Sequence, residues 1–265
     1  MTFHAGMSVT RIAANVTLFV RRQALGLIVA CLLTPAIAVF LAVPAKAQAG
    51  GVDLALVLAI DCSYSVDEVE YNLQIGGLAD AFRSTDVIAA IQSGPQAAIS
   101  VAVVQWSSHS SQNTVVSWSR ITGPGDSNSF ADQLATMPRL TDDGATAMAA
   151  AISFSASLLR ANPYFATRRV IDVSADGRNN NGPNIGGARD RVVAQGITIN
   201  GLAIIHEDST LDKYFMRDVI GGPGAFVEEA DDYADYARAI KRKLVKEIKY
   251  TPISELERQD IRNKG

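Results

Sequence analysis

The chain has 265 residues, 48% of them hydrophobic, with 24 Lys and Arg against 27 Asp and Glu for a net charge of −3. That is enough to bury one full α/β core. The first 49 residues hold Arg11, Arg21, Arg22 and Lys46 but no acidic side chain, so without them the net charge becomes −7. An acidic surface of this kind argues against nucleic acid and anionic lipid as partners.

Those first 49 residues read as an export signal. A basic start precedes the apolar run 24–43, and the small-residue sites Ala45-Lys46-Ala47 and Ala47-Gln48-Ala49 follow it. These are the three parts of a secretory signal peptide, and they predict export to the periplasm or beyond. The run exceeds the usual ~7–15 residues, which keeps an uncleaved membrane anchor as the alternative and the only route to a membrane. Arg21-Arg22 is a poor match to a twin-arginine signal. The box around Cys31 is followed by further apolar chain, which argues against lipidation there. Cleavage removes Cys31 and leaves Cys62 without a partner for an intrachain disulfide, so Cys62 reads as a small buried apolar residue.

The run 52–60 is apolar at most positions, as in a strand covered on both faces of a parallel sheet. It runs into Asp61-Cys62-Ser63-Tyr64-Ser65, and Ser65-Val66-Asp67-Glu68 has the S-x-x-E form of a capping box. A helix over 66–82 is predicted next, with Val69, Leu73, Leu78 and Phe82 as its apolar stripe. Two strands follow, 99–106 and 114–121, the second expected at an antiparallel edge. Gly123-Pro124-Gly125 reads as a turn and 129–137 as a short helix. The loop 141–146 then feeds an Ala-rich helix over 147–160.

The second half repeats the alternation. Strand 170–174 ends in Ala175-Asp176-Gly177 and an Asn-rich loop over 178–184. Helix 185–195 leads to strand 197–205, and helix 211–220 stops at Gly221-Gly222-Pro223-Gly224. A short strand, 225–228, precedes a closing helix capped by Asp231 or Asp232, with Tyr233, Ala237, Ile240, Leu244 and Ile248 on one face. The charged stretch 251–265 reads as a loose tail. Strands alternating with helices predict one doubly wound α/β domain over 50–250, its sheet mostly parallel and flanked by helices.

Asp61, Ser63 and Ser65 thus fall at the carboxyl end of a central strand, where open α/β sheets bind ligands. One carboxylate and two hydroxyls suit a hard cation such as Mg²⁺. The string taken alone also fits a helix cap and a carboxylate bonded to nearby amides. With Thr146 after a Gly-containing loop and Asp176-Gly177 after the fourth buried strand, the chain resembles a von Willebrand factor type A (vWA) domain with a metal-ion-dependent adhesion site. More narrowly, stretches such as 52–61, 169–174, 196–202 and 220–226 resemble the bacterial group of exported A-like domains filed as domain of unknown function 1194.

The resemblance implies a vWA fold that holds Mg²⁺ or Mn²⁺, with Ca²⁺ also possible. Ser63, Ser65 and Thr146 would offer hydroxyl oxygens, and Asp61 and Asp176 would act directly or through water. The cation, left under-neutralised, would take a carboxylate oxygen from an Asp or Glu of a protein partner. Ala175 departs from the threonine common before Asp-Gly in the wider family. Asp172 lies inside an apolar strand and is expected to pair locally with backbone or a hydroxyl, or else to support the site from behind. Asp142 and Asp143 read as solvated loop charges.

An enzyme lacks its parts here. His109 and His206 follow strand ends but read as exposed loop residues. There is no G-x-S-x-G, H-E-x-x-H or Walker A loop. A non-enzymatic binding module is therefore the leading expectation. A metal-dependent hydrolase, or a structural domain with a vestigial metal site, are the alternatives.

Overall fold

The computed structural model describes residues 49–249 except 142 and 143. Residues 1–48 of the predicted 1–49 signal segment, Asp142, Asp143 and the predicted tail over 251–265 lie outside the described residues, while residue 49 opens the first strand.

Six strands form one sheet: β1 (Ala49–Asp61), β2 (Ile99–Trp106), β3 (Gln112–Ile121), β4 (Tyr164–Ala175), β5 (Thr198–Ile204) and β6 (Val227–Ala230). Their order is β3-β2-β1-β4-β5-β6, with every pairing parallel except the antiparallel edge pair β2–β3. The strand order reverses between β1 and β4, which opens a crevice at their carboxyl ends.

The apolar run of β1 splits cleanly between two cores. Leu54, Leu56, Leu58 and Ile60 face a layer made by α1 (Glu68–Arg83), α2 (Thr85–Gln92), α3 (Pro124–Ala135) and α7 (Tyr236–Lys249). Ala55, Val57 and Ala59 face α4 (Met148–Arg160), α5 (Ile185–Val193), α6 (Leu211–Tyr214) and the π-helical turn Phe215–Val219 that continues it. Ala149, Ala151 and Ala156 of α4 join this second core, so small side chains meet small ones where that helix lies on the sheet. Each fully buried Leu or Ile contributes roughly 1.5–3 kcal/mol.

Several local expectations are corrected. Helix α1 is capped by Asp67, whose carboxylate accepts the Glu70 amide at 2.8 Å while Glu70 accepts the Asp67 amide at 2.9 Å. Ser65 is therefore not the cap. Val69 and Leu73 face solvent, and Tyr71, Ile75, Leu78 and Phe82 form the buried stripe. Helix α2, unassigned in the sequence reading, is only eight residues long and is capped by Ser84. Helix α3 begins at Pro124 instead of after it, because proline suits a first helical position whose N–H has no partner. Strand β4 begins six residues before the predicted 170–174, and β6 lies two residues beyond its prediction. Asp232 accepts the Asp235 amide at 2.8 Å ahead of α7, and Tyr233 lies in that turn.

Asp172 finds neither of its expected partners. Lys243 of α7 reaches it at 2.6 Å and reaches Glu247, one turn on, at 2.7 Å, and all three side chains are buried. Asn200 of β5 donates to the same Glu247 oxygen at 2.8 Å. The ionic group ties α7 to the middle of the sheet.

Candidate metal centre

The five residues named from the sequence meet at the carboxyl edge of β1 and β4. Asp61 ends β1, and its Oδ1 accepts the Ser63 amide at 2.8 Å, which bends the chain into the loop carrying Ser63 and Ser65. Thr146 Oγ1 donates to Ser63 Oγ at 3.4 Å, and the Ser63 and Ser65 hydroxyls are 3.3 Å apart. Ser65 donates to Asp176 Oδ1 at 2.9 Å across 111 positions of sequence. Tyr233 donates to Asp176 Oδ2 at 3.2 Å.

The loops are held by backbone bonds that side-chain chemistry alone does not announce. Tyr64 donates its amide to Gly144 O at 2.9 Å. Gly144 has φ +101°, and a Cβ there would come within 2.0 Å of Ser108 Oγ, so glycine is required. The three asparagines after Arg178 each anchor a different segment. Asn179 accepts the Ala149 amide, Asn180 the Thr146 amide and Asn181 the His109 amide, at 2.8–2.9 Å. Arg139 donates to Val66 O at 2.7 Å and Cys62 O at 3.4 Å, clamping the Ser63–Ser65 loop from the α3–α4 connection. Of these supports, the asparagine run and the glycine before Thr146 were visible in the sequence, as loop composition.

The electrostatics favour a cation. Asp61 is fully buried and its Oδ2 has no hydrogen-bond partner. Burial, and then the Asp176 carboxylate, push the Asp61 carboxyl well above the usual carboxylate range. Asp176 is also raised by burial, against the hydrogen bonds from Ser65 and Tyr233. An orphaned carboxylate oxygen among hydroxyls is a donor set suited to a hard, oxygen-seeking cation. No group of three His, Cys, Asp or Glu side chains gathers for metal binding among the described residues. His109 and His206 are exposed, and Cys62 is buried with its thiol pushed far up by burial, as a packing residue.

Over this set opens a mouth of about 490 Å³, lined by Tyr64, Ser65, Thr146, Gly177, Asn180 and Glu207 among others. A family model described as "Protein of unknown function (DUF1194)" matches residues 51–252. The chain belongs to that family. No curated protein matches the DUF1194 chain in sequence.

Its fold is that of a vWA domain. Proximal thread matrix protein 1 of the mussel byssus is similar at 14% identity and a TM-score of 0.56, over 74% of this chain and 48% of that one. A structure of the same mussel protein with a zinc-occupied MIDAS motif gives 13% and 0.56, over 76% and 49%. The pilus adhesin SpaC of Lactobacillus rhamnosus GG gives 15% and 0.54, over 76% and 31%. A von Willebrand factor type A protein of Catenulispora acidiphila gives 18% and 0.51, over 74% and 43%. The DUF1194 chain thus spans about half of the mussel protein and under a third of the adhesin. No helix among its described residues is long and apolar enough to cross a membrane.

Proposed function

We propose that this DUF1194 protein is an exported, non-enzymatic binding module whose vWA domain presents a divalent cation to a carboxylate of a protein partner. The observation that carries the reading is the convergence of the Asp61, Ser63, Ser65, Thr146 and Asp176 oxygens beside a buried, unpartnered Asp61 Oδ2. Ser63, Ser65 and Thr146 would hold the ion through neutral hydroxyls, with Asp61 and Asp176 behind them. Mg²⁺ or Mn²⁺ fits this donor set, and Ca²⁺ is an alternative. When bound, the ion supplies an electrophilic position for an incoming carboxylate oxygen.

The chain's own groups do the rest. Tyr233 and Ser65 donate to the two oxygens of Asp176 and hold that carboxylate in place, from where it would act on the ion directly or through water. Arg139 and the Asn179–Asn181 run hold the two hydroxyl-bearing loops in place before any ligand arrives. A zinc-occupied MIDAS in the mussel matrix protein, and an adhesin among the similar folds, support a binding role over catalysis. Among the described residues, His109 and His206 are exposed and neither lines the mouth.

The test is calorimetric titration of the purified protein with Mg²⁺ and Mn²⁺, beside Ser63→Ala and Asp176→Ala variants whose folding is checked by circular dichroism. Saturable binding that both variants lose is expected. Equal binding by the parent and both folded variants would sink the assignment.

A further inference from the structure

The rim of the mouth carries a charge pattern that the metal-binding residues do not need. Glu207 follows β5 and lines the mouth opposite the Ser63–Ser65 loop, close enough for its charge to raise Asp176. It is exposed and makes no hydrogen bond or ion pair among the described residues. Its neighbours are not in that state. Asp208 is bound by Arg178 at 2.7 Å, and Asp218 by Arg217 at 2.6 Å.

The other prominent rim group is Tyr64, whose side chain is 85% exposed, the most exposed large apolar residue described. An open aromatic face and a free carboxylate both attract cations. No basic side chain lines the mouth among the described residues. Arg178 is committed to Asp208 and Thr210 and lies over the Tyr214 ring at 5.0 Å, and Arg139 is committed to the Cys62, Val66 and Thr141 carbonyls.

We infer that Glu207, assisted by Tyr64, makes this site selective for a carboxylate accompanied by a cation: an acidic side chain of the partner with a Lys or Arg beside it. This rests on the proposed metal-dependent reading, which places the partner's carboxylate at the centre of the mouth. A ligand carboxylate bound there meets the negative rim unless its own neighbour is positive. A second acidic group beside it is repelled by Glu207, and a neutral one gains nothing. The same arrangement excludes polyacidic surfaces, which an unguarded divalent cation would otherwise attract.

The probes are immobilised acetyl-Asp-Lys-amide, acetyl-Asp-Ser-amide and acetyl-Asp-Glu-amide, presented to the intact protein in low salt with Mn²⁺ or with chelator. The expected order of retention with Mn²⁺ is Lys, then Ser, then Glu, with steps of about two- to fivefold, the scale of exposed charge pairs. Glu207→Gln flattens the series and Glu207→Lys reverses it, while raising salt compresses it in every form. Tyr64→Ser lowers retention of the Lys peptide alone. Calorimetric Mn²⁺ binding by Glu207→Gln reports that the metal residues are intact. Metal-dependent retention in an order that Glu207→Lys leaves unchanged overturns this inference and spares the metal reading. Retention indifferent to chelator, or none of any peptide, overturns both.

Discussion

Replacing Asp61 with Asn should make the metal-free protein more stable while abolishing its response to metal. Asp61 is fully buried, and its Oδ1 accepts the Ser63 amide, a bond that an Asn carbonyl can keep. What Asn removes is the charge on an oxygen with no donor and with Asp176 close by. Burial first, then Asp176, raise the Asp61 carboxyl well above 3.8 in the folded protein. The folded state therefore keeps a proton that the unfolded chain releases. Stability from this group is present at acid pH and is lost as pH rises through the folded value. Asp172 has the same sign, pushed up to about 7 by burial with Glu247 beside it, but it is common to both proteins, so their difference isolates Asp61. At pH 8 in chelator, Asp61→Asn should gain about 1–3 kcal/mol, because an uncharged amide escapes the burial and Asp176 repulsion that raise the Asp61 carboxyl. At roughly 2–4 °C per kcal/mol for a domain of this size, that gain is a rise of about 2–12 °C in Tm. At pH 4 the two proteins should converge. Mg²⁺ at about 100 times its Kd should add roughly 2.7 kcal/mol to the parent and nothing to the variant. Thermal unfolding at both pH values, with chelator and with Mg²⁺, reads all four conditions. A variant less stable than the parent at pH 8 in chelator, or stabilised equally by Mg²⁺, would refute the reasoning.

Lys243→Met should cost about 3–5 kcal/mol at pH 8, because it leaves Asp172 and Glu247 buried without their cation. The loss should shrink at pH 5, where Asp172, pushed up to about 7 by burial, takes up a proton, and be partly recovered by adding Asp172→Asn; urea denaturation measures each, and a pH-independent loss would contradict the account. Gly144→Ala forces a Cβ to within 2.0 Å of Ser108 Oγ at φ +101°, and should cost roughly 1–3 kcal/mol of stability as well as weakening the Mg²⁺ titration. Unchanged metal affinity in a folded variant would show that the Gly144 loop does not shape the centre.

The strand alternation and the Asp61-Cys62-Ser63-Tyr64-Ser65 string were legible from local chemistry, whereas Thr146 and Asp176 joined that string through the resemblance to vWA domains. A strand covered on both faces is apolar at nearly every position, as 52–60 is apart from Asp53 near its start, and a hard cation needs oxygens at the end of such a strand. What stayed hidden depends on contacts that sequence spacing does not encode. Two capping boxes overlap between Ser65 and Glu70, and propensity cannot rank them. The choice falls to Asp67 because the Ser65 hydroxyl is committed to Asp176, 111 residues away. Which face of α1 is buried is settled separately, by the layer it packs against, and that layer leaves Val69 and Leu73 outward. Asp172 failed in the same way: its partner is a lysine on the last helix, and a buried lysine is invisible in a stretch as charged as 241–249. The supports of the centre are likewise long-range. Arg139 acts on Val66 O and Cys62 O, and Asn180 on the Thr146 amide, so their targets are backbone atoms that carry no side-chain signature. A metal-site motif can therefore be read from the residues that would touch the ion. In the proposed centre, residues that touch only the backbone of those loops would set how well the hydroxyls are held for an ion, so substitutions there should tune the site without altering the motif.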